Sequence, residues 1–403
     1  MKKLSLYFLI ILLCVITINC KDWVTNVDSP VDAINDSKLN TESQLTFLAN
    51  GVLTQFAKAV GQTNVLAAGL SDAFYFESEV PRATNSDFDN IDGGNIGLYN
   101  GAVTGAYSSV GQLRYYADDL IRRTNSISVS DVSIKNNALF TGYFYGGYAR
   151  YLYATYFGLN PTQGGSPIND GPFINSSDMY DMAIAKFKKS LKFTNVQLMI
   201  KIVNSVIARA YLYKSDYADA AIYADKGLIN GDDPFQALYN TTLGNWNLWW
   251  RNAGVRYANF IAASRFKSYI DNDINEENRI KIDSVLGYDS KYYYYETVYP
   301  LEDAPQNIIT WQENNLMKAE LIIRGFGSGD ALSLVNDVRA SHGIVALSSV
   351  DLTAIYTERD KELFPSGNRL VDERRFNKWH LASGTWEYLP IPQNERDGNP
   401  NIN

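Results

Sequence analysis

The sequence predicts an all-α protein in the main, a frame of tetratricopeptide-type helical repeats carrying irregular loop regions and little β structure. The spacing of apolar residues is the first ground for this. Val203, Val206, Ile207, Ala210 and Tyr211 fall at i, i+3, i+4, i+7 and i+8, the stripe of one buried helix face. The second ground is recurrence. After Lys214-Ser215-Asp216 the period resumes with Tyr217, Ala220, Ala221, Ala224 and Leu228, and Gly227 and Gly231 supply stop signals. Two helices in about 34 residues, with alanines that let their axes approach, have the size of a tetratricopeptide unit.

The elements follow in chain order. Met1-Lys2-Lys3 is a short cationic start, Leu4 to Ile18 carries no charge, and Cys20 follows. That apolar run is short for a membrane span and suits a secretory leader over 1–19. Thr17-Ile18-Asn19-Cys20 resembles a bacterial lipobox, which makes Cys20 the lipidated first residue of the mature chain. The only other cysteine, Cys14, lies in the leader, so the mature chain has no disulfide and depends on its core. Residues 20–42, rich in Asp, Asn and Ser, read as a tether. A single domain is expected over 43–403, with helices at 43–60, 98–124, 137–159 and 179–193. The pair around 203–228 follows, then 316–325 with 330–341, and a last unit from Leu352. Residues 71–97 and 231–310 lack sustained period and read as loop elaborations, the places where function concentrates.

Composition narrows the function. A formal charge of −8 disfavours nucleic acid and anionic lipid as partners. The only histidines, His342 and His380, cannot make a zinc set without cysteines or a run of carboxylates. No Gly-x-Ser-x-Gly elbow is present, and Gly325-Phe326-Gly327-Ser328-Gly329 lacks the lysine of a phosphate loop. Asp87, Asp89 and Asp92 read as a solvated acidic loop. Ile91 stands at the fifth position of an EF-hand spacing, so structural calcium has no motif behind it. No catalytic residue, metal or cofactor is therefore expected.

Two stretches have the chemistry of a ligand site, flat rings beside amide and guanidinium groups. The first holds Asp72, Tyr75, Arg82 and Asn85. The second holds Trp246, Trp249, Trp250 and Arg251, with Asn252 and Tyr257 nearby. Trp249 and Trp250 are adjacent, so in a helix or a strand they point in different directions. Tyr292 to Tyr295 is similar in composition, and a strand with half its rings buried is an equally good account of it.

Longer blocks carry a resemblance. These are Ala208-Arg209-Ala210-Tyr211-Leu212-Tyr213 with Asp216 to Ala221 and Ala224 to Leu228, and Ala149-Arg150-Tyr151-Leu152-Tyr153 with Gly164-Gly165-Ser166-Pro167-Ile168. Ala319-Glu320 precedes Ala331-Leu332 and Val335 to Arg339. Then come Glu358-Arg359, Glu362, Gly367, Arg369, Asp372 and Arg375, and a closing Tyr388-Leu389-Pro390-Ile391-Pro392. In this order they resemble the SusD/RagB family. Ser366 stands where that family usually has a glutamate, and the chain is short for the family. The resemblance implies a surface-exposed outer-membrane lipoprotein that captures oligosaccharides, or peptides as RagB-like members do. It would deliver them to a SusC-like TonB-dependent transporter. Cys20-Lys21-Asp22 resembles signals that send such lipoproteins to the cell exterior. A repeat scaffold binding only the transporter is the alternative. The charged signature has a structural reading of its own: Glu358 and Glu362 share a helix face, as do Arg369 and Asp372.

Cys20→Ser is expected to abolish incorporation of labelled palmitate in the expressing bacterium and to move the protein out of the membrane fraction.

Overall fold

The computed structural model describes residues 36–83 and 85–402; the leader, Cys20 and most of the tether lie outside them. The axis of the fold is helix α1, Glu42–Leu70, which runs ten residues past the expected end at Val60. Its first half has one apolar face. Its second half, from Thr63 to Leu70, is buried on every side, and a helix enclosed all round shows no stripe to read. Gly69 makes this enclosure feasible, because the Phe260 ring lies where a Cβ would be, 2.0 Å away.

Around α1 pack α2 (Asp87–Asp92), α3 (Gly101–Ser126) and α4 (Val132–Tyr156). The acidic 87–92 stretch is thus a short helix rather than a loop. The Asn100 and Asp131 side chains cap α3 and α4 by accepting from the backbone N–H of Val103 and of Ser133 and Ile134. Helix α5 (Ser176–Ser190) lies against α4, where Gly147 leaves room for the Phe187 ring. Helices α6 (Gln197–Lys214) and α7 (Tyr217–Ala224) form the expected pair. Ser215 turns the chain in the left-handed region at φ 67° and Asp216 caps α7. Helix α8 (Leu248–Asn252) and α9 (Ser264–Asn272) belong to the loop region. Helices α10 (Trp311–Ile323) and α11 (Ala331–Ser341) make the next pair, joined through the glycine-rich turn. Helix α12 (Leu352–Glu362), α13 (Asn368–Arg375) and α14 (Gln393–Gly398) close the chain. No helix among the described residues is long and apolar enough to cross a membrane.

The stretch 231–310 is less irregular than it reads. It contributes five short strands: β5 (Phe235–Ala237), β6 (Ile261–Ala262), β7 (Ile282–Leu286), β8 (Tyr292–Glu296) and β9 (Gln306–Ile309). Apart from β8, which the tyrosine run announces, these strands of two to five residues are too brief to show a period. With β1 (Phe74–Tyr75), β6, β8 and β7 form an antiparallel sheet in the order β1-β6-β8-β7, while β5 pairs with β9. A second sheet joins β2 (Phe157–Asn160), β3 (Gln163–Ser166) and β4 (Ile174–Asn175) to β10 (Leu389–Pro390), which runs parallel to β2 and ties the C-terminal tail to the end of α4.

Charge holds the repeats together from inside. Arg209 on α6 and Glu313 on α10 are both 2% exposed and joined by two hydrogen bonds, one of 2.8 Å; Arg209 also donates to the Ile308 carbonyl. Arg375 bridges Glu320 and Asp372, each at 2.8 Å, and Arg359 holds the other Asp372 oxygen at 2.8 Å. Arg279 meets Glu276, Glu358 and Glu362, and Arg339 meets Glu358. The signature carboxylates are thus structural, though Arg369 pairs with Asp72 rather than with its helix neighbour Asp372. Ser366, Arg359 and Arg369 line one small gap, and there Nη1 and Nη2 of Arg359 and Nη1 of Arg369 have no acceptor among the described residues. The carboxylate that the family resemblance leads one to expect at that position is missing.

Removing one member of a buried pair strands the other charge, at a cost of about 3–5 kcal/mol. Arg209→Met should lower the stability measured by urea denaturation by about that amount, and adding Glu313→Leu should recover most of it.

Candidate functional site

The β1–β6 pairing is what makes a site. It sets Phe74 opposite Ala262 and Tyr75 opposite Ile261, so stretches far apart in sequence meet at one sheet edge. Arg82 reaches across to donate to the Val255 carbonyl at 2.5 Å, and its guanidinium lies 4.9 Å from the Tyr295 ring centroid. The Asn85 backbone N–H donates to the Asn259 side chain at 3.2 Å. The two predicted clusters are therefore neighbours.

Asn247 shapes the second cluster. Its side chain is fully buried, accepts from the backbone N–H groups of Trp249 (2.8 Å) and Trp250 (3.3 Å), and donates to the Ala304 carbonyl at 2.8 Å. This cap starts α8 and sends the tryptophans in different directions. Trp249 goes inward. It is 0% exposed and packs on Phe74 with ring centroids 5.5 Å apart, so it supports the site from below and offers no face to a ligand. Trp246 and Trp250 stay half-buried, and the Arg251 guanidinium sits 5.0 Å from the Trp246 ring. The chain then folds back: Tyr257 N–H donates to the Arg251 carbonyl and Arg256 N–H to that of Trp250, both at 3.0 Å. Half-buried Tyr257, with Arg256 5.1 Å from its ring, joins the same turn.

Asp72 also departs from the expected role. Its carboxylate is gripped by Arg369 (2.6 and 2.8 Å) and Arg265 (2.9 Å). Burial alone would raise its pKa, but the two guanidinium groups outweigh it and hold the carboxyl at about 2. A carboxylate committed to two arginines is a structural pin. Tyr75 is half-buried, and burial, with Glu77, Tyr293 and Asp92 beside it, pushes its hydroxyl up to about 12. It is thus a neutral donor at any physiological pH. Of the eight residues expected to touch ligand, Trp249 alone is fully buried; Asp72, Tyr75, Arg82, Asn85, Trp246, Trp250 and Arg251 are all partly accessible, Asp72 with its carboxylate already committed to Arg265 and Arg369. Tyr295 and Arg256, which contact these loops, were not among the eight expected residues. The four-tyrosine run was a signal for the first, and nothing in the local pattern marked the second.

Other candidate chemistry finds structural work. His342 meets Glu362 at 3.0 Å and His380 meets Glu373 at 2.6 Å. Asp87 accepts from the N–H groups of Gly101 and Ala102 at the start of α3, and Asp92 accepts from that of Phe76. Among the described residues no group of three or more His, Cys, Asp or Glu side chains is disposed to hold a metal ion.

Beneath the 246–258 turn lies Glu296, fully buried, its N–H donating to the Ala253 carbonyl and its carboxyl accepting from the N–H of Tyr299 at 3.0 Å. Gly254 allows this approach, since a Cβ there would be 2.7 Å from Oε1 of Glu296. Burial pushes this carboxyl up to about 8, against the pull of the Tyr299 and Val298 N–H groups.

No protein-family model matches this sequence, and no curated protein matches it. Solved structures do. A SusD superfamily protein from Bacteroides thetaiotaomicron VPI-5482 superposes with a TM-score of 0.73 at 16% identity, over 90% of this chain and 98% of the other. Surface glycan-binding protein A from Bacteroides thetaiotaomicron, in complex with laminarihexaose, gives 0.70 at 14% identity over 90% and 98%. A laminarin-binding SusD-like protein gives 0.69 at 16% identity over 89% and 97%. At such identities the likeness is one of fold, and that fold is the one shared by SusD superfamily proteins.

The buried Glu296 generates a pH test. Between the usual carboxyl range and about 8 the folded chain keeps a proton that the unfolded chain releases, so this group weakens the fold progressively as pH rises. Glu296→Gln should exceed the parent in stability by roughly 2–4 kcal/mol at pH 8 in denaturant titrations, with the gap closing toward pH 4.5.

Proposed function

We propose that the chain is a SusD-like cell-surface lipoprotein. It captures oligosaccharides on the face built by Trp246, Trp250, Arg251, Tyr257 and Arg82. It then passes them to a SusC-like TonB-dependent transporter, with the lipid on Cys20 holding it to the outer membrane. The observation that carries the reading is the convergence of the two loop clusters through the β1–β6 pairing and the Arg82 contact with Val255. This occurs on a fold shared with a protein solved with laminarihexaose bound.

The chemistry suits a glycan. Indole and phenol faces stack against the C–H faces of pyranose rings, and guanidinium N–H groups point-bond to hydroxyls. Arg251 and Arg256 lie over rings, which holds each planar donor group beside an aromatic surface. Binding rather than bond cleavage is the mechanism, and each histidine is already held by a carboxylate.

Calorimetric titration with β-glucan oligosaccharides, followed by a wider panel of glycans and peptides, tests this. A double Trp246→Ala/Trp250→Ala variant should lose at least about tenfold in affinity, which is 1.4 kcal/mol, without loss of its folded spectrum. Unchanged affinity for every ligand that binds the parent would remove this face from the proposal.

A further inference from the structure

A larger feature lies away from that face. A cavity of about 330 Å³ opens between α1, α4, α6, α10 and the link from α12 to α13, and none of Arg82, Trp246, Trp250, Arg251 or Tyr257 lines it. Its size is at the lower end of small-molecule pockets and far above the room one water needs. Among its walls are Asn64, Tyr148, Tyr151, Tyr156, Trp311 and Asn368, all buried.

The three tyrosines all come from α4. Tyr148 accepts from Arg209 at 3.3 Å. The Tyr151 hydroxyl is buried with no partner among the described residues, and the Tyr156 hydroxyl makes no hydrogen bond to any of them either. Buried phenols ordinarily find partners, because leaving one unmet costs about 1–3 kcal/mol. Phenylalanine would fill the same space in a purely structural wall.

The charges around the cavity are already balanced. Arg209 is matched by Glu313, Arg279 by Glu276, Glu362 by Arg279 and His342, and Asp232 by Lys201. Only the exposed Lys281 at the rim has no counter-ion among the described residues. What the wall offers a guest is phenol, amide, indole and hydroxyl groups without net charge. That is the chemistry of a neutral polyhydroxylated molecule.

We infer that this cavity is a second, interior binding site for a neutral sugar of one ring, distinct from the proposed oligosaccharide face. The inference does not rest on the function proposed for that face.

The purified protein would be titrated by saturation-transfer NMR with D-glucose, D-galactose, D-mannose and N-acetyl-D-glucosamine. At least one should bind saturably. Tyr156→Phe should then weaken it roughly 3- to 10-fold, the worth of one hydrogen bond, and Gln312→Trp, at the partly exposed mouth, should abolish it. The Trp246→Ala/Trp250→Ala variant should bind that sugar as the parent does. Absence of saturable binding by all four probes would overturn the inference, as would a Gln312→Trp variant that binds normally. Loss of the signal in the double tryptophan variant would also overturn it, by assigning the monosaccharide to the outer face. Should Tyr156→Phe fail to fold, Gln312→Trp on the rim still decides.

Discussion

The rest of the structure depends on a lattice of buried guanidinium–carboxylate contacts. Arg209 with Glu313 fixes α6 to α10, and Arg375 and Arg359 share Asp372 to fix α13 to α10 and α12. Asp72, at the end of α1, is held by Arg265 from α9 and Arg369 from α13. Such contacts contribute little net energy over an apolar alternative, but they are directional, and a misplaced helix would leave several charges unmet. Register is what they supply.

Through Asp72 the same lattice reaches the outer face. The residue next in line, Ala73, leads straight into β1, and β1 seats the loop that carries the tryptophans. The frame and the loops are therefore not independent: the ion pairs set where β1 emerges, and β1 sets where Trp246 and Trp250 stand. Glu296 and Gly254 finish the support from below.

The helical frame was legible because amphipathic helices write their burial as a period. The stripes around Val203 and Tyr217 gave the α6–α7 pair and its turn, although α6 starts earlier, at Gln197, and α7 ends earlier, at Ala224, than the stripes run. The second half of α1 was not legible, for the reason that a helix buried all round has no contrast between faces. Of the short strands in 231–310 only β8 was legible, from the tyrosine run at Tyr292 to Tyr295; the others have too few residues to establish alternation. In the face itself, residue types were a good guide to place and a poor guide to role. Asp72 and Trp249 have the right chemistry and lie in the right loops, yet a pair of arginines claims one and Phe74 covers the other. Both partners are far away in sequence, and no local pattern announces them.

The buried amide of Asn247 has a kinetic side. With both tryptophan N–H groups and the Ala304 carbonyl tied to it, the turn is set before any ligand arrives, and little loop ordering opposes encounter. Differences in residence time among ligands would then arise in dissociation, from how many ring faces and hydroxyls each ligand engages. A pre-set platform suits a protein whose proposed task is to hand cargo onward, since a slow off-rate would make the captor a competitor of its own transporter.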